Sequence, residues 1–323
     1  MTHPETAVRA TGLIKRYKNT LALDRVDLAV PAGTVHGLLG PNGAGKTTAV
    51  RILTTLTRLD EGQAEVAGLD VRTQARQVRQ RIGLTGQQTA VDDLLTARQN
   101  LTMFGRLFRL DRTAARRRAD ELLEMFSLTE AAARVPKTFS GGMRRRLDLA
   151  ASMILAPQVL FLDEPTTGLD PAGRREVWQV VRDLAVRGTT VLLTTHYLDE
   201  ADQLCDRISV IDHGRNIIED TPAGLKRRIG DEHLEVTVAD PADLPALSEA
   251  VSTLIGAPPA VIESTGTVSV AVSDGVRTLT AVAAEVRARH IEIADIALRR
   301  PTLDEAFLHL IGDRPVPQKE AVR

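Results

Sequence analysis

Short, nearly unbroken apolar runs punctuate the first two thirds of the chain. Val35-His36-Gly37-Leu38-Leu39, Ile82 to Thr85, Val159 to Leu162 and Thr190 to Thr195 are too short for stable helices and too uniform for half-exposed strands. Such runs predict strands buried on both faces, as in a parallel sheet, where ligands gather at the carboxyl ends of strands. Helical spacing fills the intervals: Ala49, Ile52, Leu53 and Leu56, then Leu94, Leu101, Phe104, Leu107 and Phe108, then Ala114 to Phe126. Helices are expected over Thr73 to Arg81, Arg144 to Ala156, Arg174 to Val186 and Leu198 to Leu204. Val8 to Leu13 and Thr20 to Val30 instead alternate like two antiparallel strands, with Lys15 to Asn19 as their turn. Short polar strands with glycine are expected from Arg58 to Val71, and Arg207 to Asp212 supplies a last strand.

Beyond residue 230 the rhythm changes. Strand Leu234 to Val238, helix Leu244 to Ile255, strands Ala260 to Glu263 and Thr267 to Val272, helix Val276 to Arg289, strand Ile291 to Leu298 and helix Leu303 to Ile311 follow one another. The order βαββαβ predicts a small ferredoxin-like α+β domain. The domains expected are therefore an α/β unit over 7–230, an accessory unit over 231–312 and a solvated tail over 313–323. A length of 323 residues agrees with two domains, each able to bury a core.

Composition changes the picture only by exclusion. A formal charge of −1, with 41 Lys and Arg against 42 Asp and Glu, lacks the basic excess of a general nucleic-acid binder. The single cysteine, Cys205, excludes an intramolecular disulfide and fits a reducing cytoplasm; beside Leu204 and Ile208 it reads as a small core residue. MTHPETAVRA has no secretory-leader design, and the longest apolar candidate for a membrane span, Leu149 to Leu162, is broken by Pro157.

The chemistry begins at Gly40-Pro41-Asn42-Gly43-Ala44-Gly45-Lys46-Thr47-Thr48, which fills the phosphate-loop pattern G-x-x-x-x-G-K-[ST] between a strand and a helix. Gly43 and Gly45 lack a Cβ, so backbone N–H groups can turn inward onto a polyphosphate, and the following helix aims its positive end at the same charge. Lys46 would set an ammonium among the outer phosphates and Thr47 would offer a hydroxyl to Mg²⁺. Phe139-Ser140-Gly141-Gly142-Met143 makes a second such helix start, with Ser140 as N-cap. Asp163 and Glu164 end one apolar strand: Asp163 would face Mg²⁺ and Glu164 an attacking water. His196 ends another strand, within expected reach of a γ-phosphate. Tyr17 could stack on a base or simply pack its turn, Gln87 could reach a metal or be a solvated loop amide, and Arg116-Arg117-Arg118 reads as a solvated helix face.

Taken in order, GPNGAGKTT, Gln87, FSGGM, LFLDEP, GLD and TTH resemble the nucleotide-binding subunits of ATP-binding-cassette transporters across residues 7–230. FSGGMRRR, TGQQ and the closing Arg300 to Phe307 look like the daunorubicin/doxorubicin-resistance branch, so the resemblance spans nearly the whole chain. It implies a P-loop NTPase cassette with a mixed core sheet, a helical subdomain and an antiparallel β subdomain. It also implies ATP and Mg²⁺ as ligands and a separately encoded integral-membrane permease, with the chain held at the cytoplasmic side of the membrane and no nucleic-acid partner. By that likeness Tyr17 stacks on adenine, Gln87 senses Mg²⁺ and the permease, Ser140 to Met143 form the signature loop, Glu164 is the general base and His196 the switch histidine. Asp163 binds Mg²⁺ through water, and Asp170 belongs to a loop crossing between sites. Two copies join head to tail, which accounts for the second anion-binding helix start. Gln87-Gln88 follow Gly86 where the family often has one glutamine after proline, and Met143 stands where many relatives have glutamine. The competing readings are an importer subunit and a cassette ATPase acting on the ribosome or DNA. About fifty residues between Gln87 and Ser140 leave no room for the coiled-coil arm of the DNA-repair type.

Overall fold

The computed structural model describes residues 6–86, 89–228, 232–299, 302–305 and 307. In chain order the elements are β1 (Thr6–Tyr17), β2 (Thr20–Pro31), β3 (Val35–Leu39), α1 (Lys46–Leu53), β4 (Glu61–Val66), β5 (Leu69–Asp70), α2 (Ala75–Arg81) and β6 (Ile82–Thr85). Next come α3 (Ala97–Leu107), α4 (Arg112–Met125), α5 (Gly141–Ser152), β7 (Val159–Asp163), α6 (Pro171–Val186), β8 (Thr190–Thr195), α7 (Leu198–Leu204), β9 (Arg207–Asp212) and β10 (Arg215–Asp220). The chain divides into two compact units after Pro222, near the start of α8 (Pro222–Arg227).

In the first unit the apolar runs form a six-stranded sheet, ordered β10-β9-β3-β8-β7-β6. Strands β9, β3, β8, β7 and β6 are parallel; only β10 is antiparallel, returning through the turn at His213 and Gly214. Every residue of β3, β7 and β8 is buried, as strands covered on both faces require. The alternating N-terminal strands make a separate antiparallel sheet, β2-β1-β4-β5. Helix α1 shares one apolar core with both: Ala49, Ile52 and Leu53 pack with Val8, Leu13, Val26 and Val66 on one side and with Leu38, Phe161 and Leu192 on the other. Tyr17 is the last residue of β1, paired with Thr20, so the turn is Lys18-Asn19 alone rather than a five-residue loop.

Helices α3 and α4 form the helical subdomain. Capping is local and explicit: Thr96 and Gln99 make a capping box on α3, and Asp111 accepts from the Ala114 amide on α4. Arg118 departs from the solvated face expected of its cluster: its guanidinium donates to the carbonyls of Met153 and Ile154, satisfying the end of α5.

The second unit contains β11 (Glu232–Val238), α9 (Leu244–Ile255), β12 (Ala260–Ile262), β13 (Thr267–Val272), α10 (Gly275–Ala288) and β14 (Ile293–Arg299). Its antiparallel sheet runs β12-β13-β11-β14, the split βαββαβ order expected. Leu234, Val236, Val268 and Val270 of the sheet close a core with Leu247 and Val251 of α9 and with Val282 and Val286 of α10. The helix expected from Leu303 to Ile311 falls largely outside the described residues, as does the tail.

Candidate nucleotide site

Strand β3 passes at Leu39 into a loop that only glycine fits at its two ends. A Cβ on Gly40 would collide with the Ile211 carbonyl oxygen of β9, and one on Gly45 would lie 2.6 Å from the Ala22 carbonyl oxygen. Gly43 and Gly45 have φ of 82° and 108°, a region that costs other residues dearly. Gly45 is the N-cap of α1 and offers no side-chain acceptor, so the amides of the first turn are left for a ligand. The loop is strapped to the β9–β10 turn through Gly214 N to Ala44 O (2.9 Å), and that turn to β2 through Asp24 N to Gly214 O (2.7 Å).

Lys46 is 4% exposed and donates to the carbonyl oxygens of Gly40 (2.7 Å) and Pro41 (3.0 Å). Burial pulls its pKa below the ordinary lysine value, while the charges of Glu164 and Asp163 oppose that shift. The loop floors an open pocket of about 610 Å³, also lined by Thr20, Leu21 and Ala22 of β2, by Asn42, Thr47, Thr48 and Glu164, and by His213 and Gly214. A larger hollow of about 780 Å³ lies in the helical subdomain between Arg98 and Thr129, lined by arginines and acids and containing none of the expected site residues.

The carboxyl ends of β7 and β8 meet beside the loop. Asp163 Oδ1 accepts from Thr194 Oγ1 at 2.6 Å and from Thr47 Oγ1 at 3.2 Å. The next residue, Glu164, adopts φ 51°, a strained conformation for a side chain of this kind, held because its amide donates to both the carbonyl and the hydroxyl of Thr194. Its carboxylate faces His196, with Oε1 3.6 Å from Nδ1, and accepts from Thr167 Oγ1 at 3.2 Å. His196 Nδ1 is buried without a hydrogen-bond partner among the described residues. The Thr47 hydroxyl and Asp163 carboxylate are hard oxygen donors of the kind Mg²⁺ selects. Among the described residues no group of three His, Cys, Asp or Glu side chains could hold a metal alone, so a cation here would draw its other ligands from phosphate and water.

The other helix start expected to bind an anion does not line this pocket. Ser140 caps α5 by accepting from the Met143 amide at 3.2 Å, and Asp170 caps α6 by accepting from the Gly173 amide at 2.9 Å. The two helix starts touch closely: a Cβ on Gly142 would lie 3.1 Å from the Gly173 Cα, and Leu169 packs over Gly141. Ser140, Gly141 and Asp170 are exposed, and none of Ser140 to Met143 lines the pocket. Tyr17, 44% exposed with Lys15 Nζ 5.4 Å from its ring centre, is not among the lining residues, whereas its strand partner Thr20 is. Gln87 and Gln88 lie outside the described residues.

Sequence reasoning passed over several participants. Thr194 and His213 sit at strand ends already singled out, so position alone was the available signal. Glu200 gave none: it is fully buried, accepts from Thr166 Oγ1 (2.8 Å) and Trp178 Nε1 (3.1 Å), and burial raises its pKa. Cys205 is buried and free, and burial holds its thiol well above its usual pKa.

A parallel sheet delivering a glycine loop, a buried lysine and a strand-end carboxylate pair to one pocket defines a P-loop nucleotide-binding ATPase of the cassette type. The family model described as ABC transporter matches residues 23–167. Among similar proteins are the daunorubicin resistance ATP-binding protein DrrA2 of Streptomyces coeruleorubidus, 60% identical over 95% of this chain and 96% of its own, and the daunorubicin/doxorubicin resistance ATP-binding protein DrrA of Streptomyces peucetius, 48% identical over 96% and 94%. A solved dimeric ATP-binding cassette in a post-hydrolysis state with ADP and Pi superposes with a TM-score of 0.60 at 27% identity, covering 66% of this chain and 98% of that one. The chain belongs to the ABC transporter ATP-binding proteins, in the daunorubicin/doxorubicin-resistance group.

Proposed function

We propose that the chain powers export of a hydrophobic, anthracycline-like drug or a lipid through a separately encoded permease, hydrolysing ATP in a head-to-tail pair of copies. The observation that carries this reading is the separation just described: the pocket holding Lys46 contains no signature residue, while Ser140 and Gly141 lie exposed at another helix start. A second copy brings the two ends to one nucleotide, and the solved cassette dimer offers a precedent for pairing.

In this mechanism the loop amides of Gly43 to Thr48 and the Lys46 ammonium bind the phosphates, and the partner's signature helix covers the γ-phosphoryl from the other side. Glu164 orients the attacking water and accepts its proton, and His196 fixes the carboxylate and the leaving phosphate. Thr47 and Asp163 would hold Mg²⁺, which would supply charge neutralisation on the phosphate oxygens. Tyr17 serves as the base-stacking ring and Gln87 as the metal and permease sensor, with Asp170 in the loop crossing between sites. A hollow of about 420 Å³, lined by Arg76, Gln80, Leu107, Phe108, Arg109 and Leu155, offers an apolar seat for a permease segment, with Leu107 69% and Phe108 47% exposed. No helix among the described residues is long and apolar enough to cross a membrane.

Crosslinking tests the shared site. A chain carrying Asn42→Cys and Ser140→Cys, oxidised with ATP present, is expected to run as a covalent dimer. A chain that stays monomeric overturns the head-to-tail arrangement. Drug accumulation in cells expressing the chain with and without its permease tests the cargo.

A further inference from the structure

We propose that Arg145 is a positioning residue through which closure of one nucleotide site sets the catalytic carboxylate of the other. This inference rests on the shared site proposed above.

Arg145 lies five residues after the Ser140 cap, on the rigid helix α5, and is 6% exposed. Its guanidinium forks onto two backbone carbonyls far away in sequence: Nε donates to Pro165 O at 2.7 Å and Nη1 to Gly86 O at 2.8 Å. Pro165 directly follows Glu164, whose strained φ of 51° requires that its neighbours be held. Asp148, one turn along α5, pairs with Arg145 Nη1 at 3.3 Å and accepts from the Ala90 amide at 2.8 Å. One buried ion pair on the signature helix thus grips both flanks of the segment running from Gly86 to Ala90 and the carbonyl beside the proposed general base.

An ordinary structural ion pair would end in side-chain contacts and full satisfaction. Here two contacts go to the backbone of loops that carry chemistry, and Arg145 Nη2 is buried with no hydrogen-bond partner among the described residues. A spare donor of that kind is costly where nothing moves, and useful where the fork must follow a helix that shifts. On the shared-site reading the start of α5 meets the nucleotide of the other copy, whereas Arg145 holds Pro165, the residue after Glu164, of its own. Movement of α5 toward a phosphate therefore reaches Pro165 through a guanidinium whose planar geometry no lysine reproduces.

The test is the ATP dependence of hydrolysis by the intact chain, with wild type, Arg145→Lys and the paired Arg145→Gln/Asp148→Asn variant. Wild type is expected to show a Hill coefficient above one. Both variants are expected to melt a few degrees lower, because two carbonyls lose a buried donor, yet, assayed well below that midpoint, to keep the ATP affinity of the dilute monomer, to lose at least about tenfold in kcat, and to fall to a Hill coefficient near one. Arg145→Lys keeps the charge, so its failure to rescue separates positioning from stability. A cooperative wild type alongside an Arg145→Lys variant of full kcat and unchanged Hill coefficient overturns this proposal alone. So do losses of activity that merely track lost stability or monomer affinity. A non-cooperative wild type that never pairs overturns the shared site beneath it.

Discussion

Helices α1 and α5 both start at a glycine, Gly45 as the cap of α1 and Gly141 as the first residue of α5, yet their starts are built oppositely. The start of α1 is sunk at the carboxyl ends of a parallel sheet, lacks a side-chain cap, is entered through left-handed Gly45, and has Lys46 buried beside it. The start of α5 is stabilised by its own Ser140 hydroxyl and lies at the surface, its second glycine pressed against α6. The first helix leaves its amides for a ligand. The second carries its own cap and shows Ser140 and Gly141 at the surface, which suits the proposed closure on a nucleotide held by another copy.

Substitutions can break that comparison in descending order of effect. Glu164→Gln should retain ATP binding while slowing turnover by about 10²- to 10⁴-fold, the range for a general base, and should trap a dimer visible by sizing with ATP. Full turnover would remove Glu164 from the mechanism. Lys46→Ala should weaken ATP binding to the monomer by about 10- to 100-fold in equilibrium titration, as loss of a charge-assisted contact does. Ser140→Ala should leave that monomer affinity unchanged and cost about 1 kcal/mol of stability through the lost cap, while still lowering turnover. Equal effects of the Lys46 and Ser140 changes on monomer binding would erase the distinction between the two starts.

Between these in size stands a pH effect on the strand beneath the loop. His36 in β3 is buried, its Nε2 meets Ser209 Oγ at 2.8 Å, and burial lowers its pKa from 6.5 to about 4. The unfolded chain therefore takes up a proton that the folded chain refuses, so stability present above pH 6.5 is lost as pH falls toward 4. At pH 5 the loss is about 2 kcal/mol. His36→Leu should flatten the pH dependence of denaturant unfolding between pH 6.5 and 5, with Ser209 keeping Glu219 as a partner at 3.3 Å. An unchanged slope would show that His36 does not govern it.

What was legible in the sequence were features coded locally. Unbroken apolar runs gave the parallel strands, and loop glycines and strand-end acids declared the pocket because their neighbours in sequence are their neighbours in function. Contacts closing long loops were silent. Arg145, within Arg144-Arg145-Arg146, looks like one more helix-face charge until Pro165 and Gly86 fold against it. Glu200 reads as a surface acid in Leu-Asp-Glu-Ala, and only the approach of Trp178 and Thr166 makes it a buried acceptor. Arg118 reads as a solvated charge because the end of α5, thirty-five residues on, gives no hint that it needs a donor. Tyr17 reads as a turn residue because β1 continues four residues past Leu13, where its alternation fades.

The grip of Lys46 on the carbonyls of Gly40 and Pro41 means the cradle braces itself. Two of the three ammonium N–H groups are already committed inside the arch, so an incoming polyphosphate meets a standing loop and needs only to accept the remaining hydrogen bond or take one over from a carbonyl. Nucleotide capture then asks little rearrangement of the lysine, and on the shared-site proposal the committing event is left to the meeting of two molecules.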